Sequence, residues 1–171
     1  ALIYDLLDKT APVIITNFAD GIEIERFSSF TISNSADDQL SGIEQLSTTL
    51  DGQIIANEGD IDTEALSFGN HTIIITAVDK AGNTTIRHIT IKITASMSTV
   101  GKLVDRYYQS GEINNTIVYR GLKELLAHDI TLLPFMLKVK AVRGIHITKP
   151  AADKLLDYCE WIIKDKYSCK L

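Results

Sequence analysis

The residues of this chain that could do chemistry are few and widely spaced. Asp79-Lys80-Ala81-Gly82-Asn83 sets a carboxylate and an amide four residues apart across a glycine turn. Gly82 and Asn83 suit left-handed backbone, and Asp79 can accept backbone N–H groups across the loop, so the stronger reading is structural. The functional alternative is a Ca²⁺ site built from Asp79, Asn83 and Asp37, with Asp38 beside it, because carboxylate and amide oxygens are hard ligands. A Ca²⁺ cage takes about six or more oxygens, and no EF-hand spacing supplies them here.

Arg143 and His146 form a second candidate. A cation in the last turn of a helix complements its dipole, and a histidine in a tight connection can bond free carbonyls, so again a structural role is the stronger reading. A lone histidine makes neither a triad nor a metal set. Tyr107, Tyr108, Tyr158 and Trp161 could present an aromatic platform to sugars, although such rings more often seal a small core or a junction. Cys159 and Cys169 are the only cysteines. An oxidising compartment would make them a candidate disulfide pair, while the position of Cys159 on an apolar helix stripe argues for an inert buried thiol. The sequence holds no G-x-S-x-G, H-E-x-x-H, C-x-x-C, P-loop or G-x-G-x-x-G pattern, and its four histidines are far apart. No enzyme is expected from these residues, and no cofactor apart from the calcium alternative.

The elements that must carry these residues change character near residue 95. Residues 1–94 hold 5 Lys/Arg against 14 Asp/Glu, net −9, and are rich in Thr, Ile, Ser and Asn. Residues 95–171 hold 12 against 8, net +4, and carry Leu, Lys and most of the Tyr. Two domains of opposite charge follow. A basic half of only +4 without interleaved aromatics does not support a nucleic-acid partner. No apolar run approaches the roughly 18 residues that span a bilayer, so no membrane insertion is expected. The chain opens on Ala1 without a basic leader pattern, so an export signal is expected upstream.

In the first part the apolar period is two. Ile73, Ile75 and Ala77 alternate with Thr72, Ile74, Thr76 and Val78; Ile89, Ile91 and Ile93 alternate with His88, Thr90 and Lys92. Each set predicts a strand with one buried face. Further strands are expected over 13–18, 22–27, 30–33, 43–50 and 53–56, separated by turn signals such as Asp20-Gly21, Glu58-Gly59-Asp60 and Gly82-Asn83. Leu50-Asp51-Gly52-Gln53 predicts a two-residue type I′ hairpin, which needs positive φ at both central positions. About seven short strands in this length predict an immunoglobulin-like sandwich.

After Ser98 the period becomes helical. Val100, Leu103, Val104 and Tyr107 fall on one face of a helix ending near Ser110-Gly111. Asn114 or Asn115 caps a second helix with the stripe Ile117, Val118, Leu122, Leu125 and Leu126. Pro134 opens a third that ends at Arg143-Gly144, and Thr148 caps a fourth with Pro150 in its first turn. Ala152, Leu155, Leu156, Cys159 and Ile163 form its inward stripe. The result is an all-α bundle of about four helices.

Two resemblances sharpen this picture. Leu50-Asp51-Gly52, then Gly69-Asn70-His71-Thr72, then Ala77-Val78-Asp79-Lys80-Ala81-Gly82-Asn83 resembles the bacterial Ig-like domain, with its LDG hairpin, G-x-H-T strand start and A-x-D-x-A-G-N loop. Lys9-Thr10-Ala11-Pro12 resembles the junction between successive repeats of that family. Phe135-Met136-Leu137-Lys138-Val139-Lys140-Ala141-Val142-Arg143-Gly144-Ile145-His146-Ile147-Thr148, then Ala151-Ala152-Asp153, resembles the FIMAH helical module of secreted Gram-positive proteins, with Met136 and Ile145 as departures. The expected organisation is a junction over 1–9, a sandwich over 10–94, a linker over 95–98 and a helical module over 99–171. The resemblances imply a non-catalytic accessory segment that spaces and docks other parts of an extracellular or cell-surface Gram-positive protein, an extracellular enzyme by expectation. The alternative is a carbohydrate- or cell-wall-binding module. Partners are expected to be upstream domains of the same chain, with polysaccharide or cell wall as the alternative.

Ile74 and Val78 add one more expectation. They lie on the outer face of their strand, where the Ig-like family usually shows Thr. Apolar residues on a wet face need a cover, and the helical module is the nearest candidate, near Tyr107, Tyr108 or Trp161. Charges of −9 and +4 attract at low salt.

Overall fold

Alternating side chains become alternating burial in the structure, a computed structural model that describes residues 8–128 and 131–168. The chain divides into two compact units between Ile93 and Thr94.

The first unit contains eight strands among its described residues: β1 (Val13–Thr16), β2 (Ile22–Glu25), β3 (Thr31–Asp37), β4 (Ile43–Leu50), β5 (Gln53–Ile55), β6 (Glu58–Asp60), β7 (Gly69–Asp79) and β8 (Thr84–Thr94). They form a five-stranded sheet in the order β2-β8-β7-β4-β5 and a three-stranded sheet in the order β1-β3-β6. Ile73, Ile75 and Ala77 of β7 and Ile89, Ile91 and Ile93 of β8 are buried, as their spacing predicts. They share one core with Ile14, Phe18, Ile24, Phe30, Ile32 and Leu50. Phe18 meets Phe30 edge to face, with ring centroids 5.4 Å apart. Each fully buried isoleucine contributes about 1.5–3 kcal/mol.

The hairpin between β4 and β5 is the one the sequence predicts. Asp51 has φ +50° and Gly52 φ +81°, with Leu50 paired to Gln53. One strand was not legible. Glu58-Gly59-Asp60 reads as a turn, yet it forms β6, with Thr31, Ile32 and Ser33 of β3 opposite Asp60, Gly59 and Glu58. All three β6 residues are exposed, so burial leaves no periodic trace in the segment, and only its partner defines it. Among the described residues β6 thus joins the strands that the sequence suggests.

The second unit contains four helices among its described residues: α1 (Met97–Gln109), α2 (Thr116–His128), α3 (Leu133–Val142) and α4 (Lys149–Ser168). Ser96 caps α1 in a reciprocal capping box with Thr99, so the helix starts inside the expected linker. Asn115 caps α2 by accepting the Ile117 and Val118 N–H groups at 2.9 and 3.0 Å. Pro134 lies in the first turn of α3. Gly144, with φ +75°, turns the chain after α3 and donates its N–H to the Ile147 carbonyl at 2.6 Å. Isolated bridges from Ile147 to Ile113 and to Arg143 tie the two connections together.

The stripes need two corrections. Ile117 is exposed, so α2 buries only Val118 and Leu122 fully, with Leu125 and Leu126 half-buried. On α4, Ile162 is buried and Ile163 half-buried, and the inward face also takes in Tyr158. Tyr158, Phe135, Leu103 and Leu122 are among the largest fully buried side chains.

Candidate functional site

The hairpin and the strand that follows it produce the first cluster. Asp51, held at the turn, accepts the Thr72 N–H at 2.9 Å through Oδ1, and its Oδ2 lies 2.5 Å from His71 Nδ1. His71 is buried, and its Nε2 faces the Ser67 carbonyl at 2.9 Å. Both ring nitrogens thus face acceptors. This joins the LDG and G-x-H-T segments physically: the aspartate of one hairpin fixes the histidine at the start of β7. Burial raises the Asp51 pKa, but the bonds from His71 and Thr72 and the His71 charge outweigh it, so the net shift is downward from 3.8.

A depressed carboxylate adds stability that is present above its unfolded value and is lost as pH falls through the folded value. The side chain is 46% exposed, so solvent screens the contribution. Urea midpoints of the sandwich are expected to fall from pH 5 to pH 3 in the parent chain. Asp51→Asn, which keeps the turn but not the charge, should flatten that fall. Parallel profiles for the two proteins would remove Asp51 from the account.

A second cluster gathers around the loop between β7 and β8. Asp79 Oδ1 accepts the Asn83 N–H, and Oδ2 accepts from Asn83 Nδ2, both at 2.8 Å. The same Asn83 amide reaches the Asp8 and Thr10 carbonyls at 3.2 and 3.3 Å. Asn83 therefore acts here as a donor that staples the entering chain to the loop. Asp37, the residue expected beside Asp79, ends β3 opposite Val13 and is exposed. Asp38 comes in instead, because the next residue along a strand points to the other face. Asp8, Asp38 and Asp79 each bring a carboxylate oxygen within 4.8 Å of the other two. Asp8 was missed: it is 71 residues from Asp79 in sequence, and only the fold brings them together.

In the helical unit the Arg143 guanidinium makes a two-pronged contact with Asp153, Nε to Oδ1 and Nη2 to Oδ2, both 2.6 Å. It holds the Asp153 carboxyl below the usual carboxylate range. His146 Nδ1 lies 3.3 Å from Asn114 Oδ1, and the His146 carbonyl accepts the Asn114 N–H. These contacts link the R-G-x-H and A-A-D segments of the helical pattern and leave Arg143 and His146 in separate networks.

The four aromatics do not form one platform. Tyr107 and Tyr158 are buried in the bundle; Tyr108 and Trp161 are half-buried. Tyr108 stacks instead on Tyr119, at 4.1 Å between centroids and 11° between planes. The Tyr119 hydroxyl donates to Asp105 Oδ1 at 2.9 Å, which together with burial raises the phenol's pKa above its usual value. Lys123 Nζ donates to Asp105 Oδ2 at 2.8 Å. Tyr119 was not singled out in the sequence because its partner lies on a different helix.

Cys159 is buried on α4, and desolvation, with the Glu160 charge, pushes its thiol up to about 12. Such a thiol is a poor nucleophile. Cys169, its candidate disulfide partner, lies outside the described residues. Ile74 and Val78 are half-buried on the outer face of the five-stranded sheet. Ile74 has Thr49 and His88 as cross-strand neighbours, and Val78 has Gln45 and Thr84. A cleft in the sandwich is lined by Ile32, Leu50, Ile55, Ile61 and Leu66 together with Glu58, Asp60 and Asp62, and no aromatic ring lines it. No helix is long and apolar enough to cross a membrane among the described residues.

No protein-family model and no curated protein matches the sequence. Several solved structures are similar to it. The fibronectin(III)-like modules of Clostridium thermocellum CbhA share 19% identity, with a TM-score of 0.39 over 50% of this chain and 47% of that chain. Bacteroides ovatus SGBP-B, from a mixed-linkage glucan utilization locus and solved with a mixed-linkage heptasaccharide, shares 17% identity, with a TM-score of 0.39 over 52% of this chain and 25% of that one. The SrpA adhesin from Streptococcus sanguinis shares 17% identity, with a TM-score of 0.38 over 53% of this chain and 61% of that one. This chain thus spans about half the length of the first of them.

Proposed function

We propose that this chain is a non-catalytic accessory segment of a secreted or cell-surface protein: an Ig-like sandwich followed by a FIMAH-type helical module, spacing and docking its neighbours in the same polypeptide. The observation that carries the reading is how the polar residues of the recognisable motifs are used. Asp51 binds His71 and Thr72, Asp79 binds Asn83, and Arg143 binds Asp153. Each motif closes a turn or joins two segments of its own unit, which is the work of a scaffold. The Gram-positive extracellular setting rests on the sequence resemblances alone.

Binding of polysaccharide or cell wall is the second reading, supported by the stacked, half-buried Tyr108–Tyr119 pair beside Asp105 and Lys123. Co-sedimentation with insoluble glucans and peptidoglycan separates the two. A spacer stays in the supernatant with every polymer. Retention that Tyr119→Ala abolishes, with folding intact, would establish the binding module.

A further inference from the structure

The carboxylates of Asp8, Asp38 and Asp79 come from three separate stretches: the chain leading to β1, the loop after β3 and the end of β7. Asp8 is 8% exposed and Asp79 only 1%. Among the described residues no Lys, Arg or His forms an ion pair with any of the three. Three carboxylates within 4.8 Å of one another, two of them shielded from water, repel one another when ionised unless a cation joins them.

The hydrogen bonds sharpen the case. Asp8 Oδ1 accepts the Thr10 N–H at 2.8 Å, whereas its Oδ2 is buried with no donor at all. Buried polar atoms without partners are rare, and each asks for an unseen one. Asp38 uses only Oδ1 for its loop, accepting from the Leu40, Ser41 and Gly42 N–H groups and from the Ser41 hydroxyl. These bonds leave Oδ2 uncommitted. Asp79 is fixed by Asn83, whose amide also grips the Asp8 carbonyl. The cluster is thus oriented by neutral donors, with carboxylate oxygens left over.

We propose that Asp8, Asp38 and Asp79 bind a Ca²⁺ ion that fastens the chain leading into β1 to the loops after β3 and β7. The donors are all hard carboxylate oxygens, without the His or Cys that Zn²⁺ prefers. Oxygens around one Ca²⁺ at about 2.4 Å lie no more than about 4.8 Å from each other, a bound the three carboxylates already meet. Three carboxylates supply three to about six ligand oxygens, and water completes the shell. The ion removes the repulsion and gives Asp8 Oδ2 its missing partner. This inference does not depend on the accessory role, since a scaffold or a glycan binder could carry the same clamp.

The test is a titration of the 171-residue chain, stripped with a chelator, with Ca²⁺ alone, followed by calorimetry and thermal melting. Binding is expected in or below the roughly 0.1–1 mM range of extracellular Ca²⁺ modules, with a rise of roughly 5–10 °C in the sandwich melting temperature at ten times Kd. Asp38→Asn keeps the acceptor that organises its loop, and Asp8→Asn keeps the one that meets Thr10. Each should weaken Ca²⁺ binding at least tenfold while leaving the metal-free protein as stable as the parent or more so. A chain that ignores Ca²⁺ up to about 10 mM overturns the site, as does an equal response to Mg²⁺ or an undiminished response in Asp38→Asn.

Discussion

Phe135→Ala is expected to leave the helical unit at the edge of unfolding at 25 °C. Phe135 is fully buried in α3, where Met136 and Val139 are the other buried residues of a ten-residue helix. Removing a buried aromatic ring costs about 3–5 kcal/mol, through lost transfer energy and the cavity left behind. A unit of this size has roughly 4–11 kcal/mol in total, so the substitution consumes much or all of it. Trp161 is the only tryptophan and lies on α4, so its fluorescence follows this unit selectively. The midpoint should fall by at least about 12 °C, and Phe135→Leu should recover most of the loss. A fall of only about 2 °C in Phe135→Ala would mean that α3 does not pack as described.

Ile75→Ala should do comparable damage to the sandwich. β7 is the central strand of the five-stranded sheet, and Ile75 sits on it between Thr48 of β4 and Arg87 of β8 with no exposed surface. The expected cost is about 2–5 kcal/mol. Its neighbour Ile74, one residue along the same strand, points to the other face, and Ile74→Ala should cost clearly less. Calorimetry or β-sheet circular dichroism reads the difference. Equal losses at 74 and 75 would contradict the assigned inward face.

The contrast between these two adjacent isoleucines shows what the sequence could reveal. Period-two alternation in β7 and β8 marked the buried face, because burial on one side of a pleat is written directly into residue order. The Leu50–Gln53 hairpin and the Asn115 cap were legible for the same reason: each is a local device whose geometry a few adjacent residues determine. What stayed hidden depends on distant partners. β6 exists only because β3 is beside it, and its three exposed residues carry no apolar signal. Tyr119 matters through Tyr108 on another helix. The acidic cluster was legible in part. Asp79 and its loop stood out, but choosing Asp38 over Asp37 needed the strand's end, and finding Asp8 needed the whole sandwich closed. Ile117 and Ile163 show the limit of helical periodicity: an apolar residue at the margin of a stripe is buried only if a neighbouring helix reaches it.

On the function proposed above, the polar residues of the motifs hold the fold and perform no reaction. The most direct measurement incubates the purified chain with polysaccharide, ester and peptide substrates, with and without Ca²⁺, beside Asp51→Asn, Asp79→Asn and Arg143→Gln. No turnover is expected from any of them, and melting temperatures should shift with the substitutions. Turnover by the parent chain that one of these substitutions abolishes, while its melting temperature stays where it was, would contradict it.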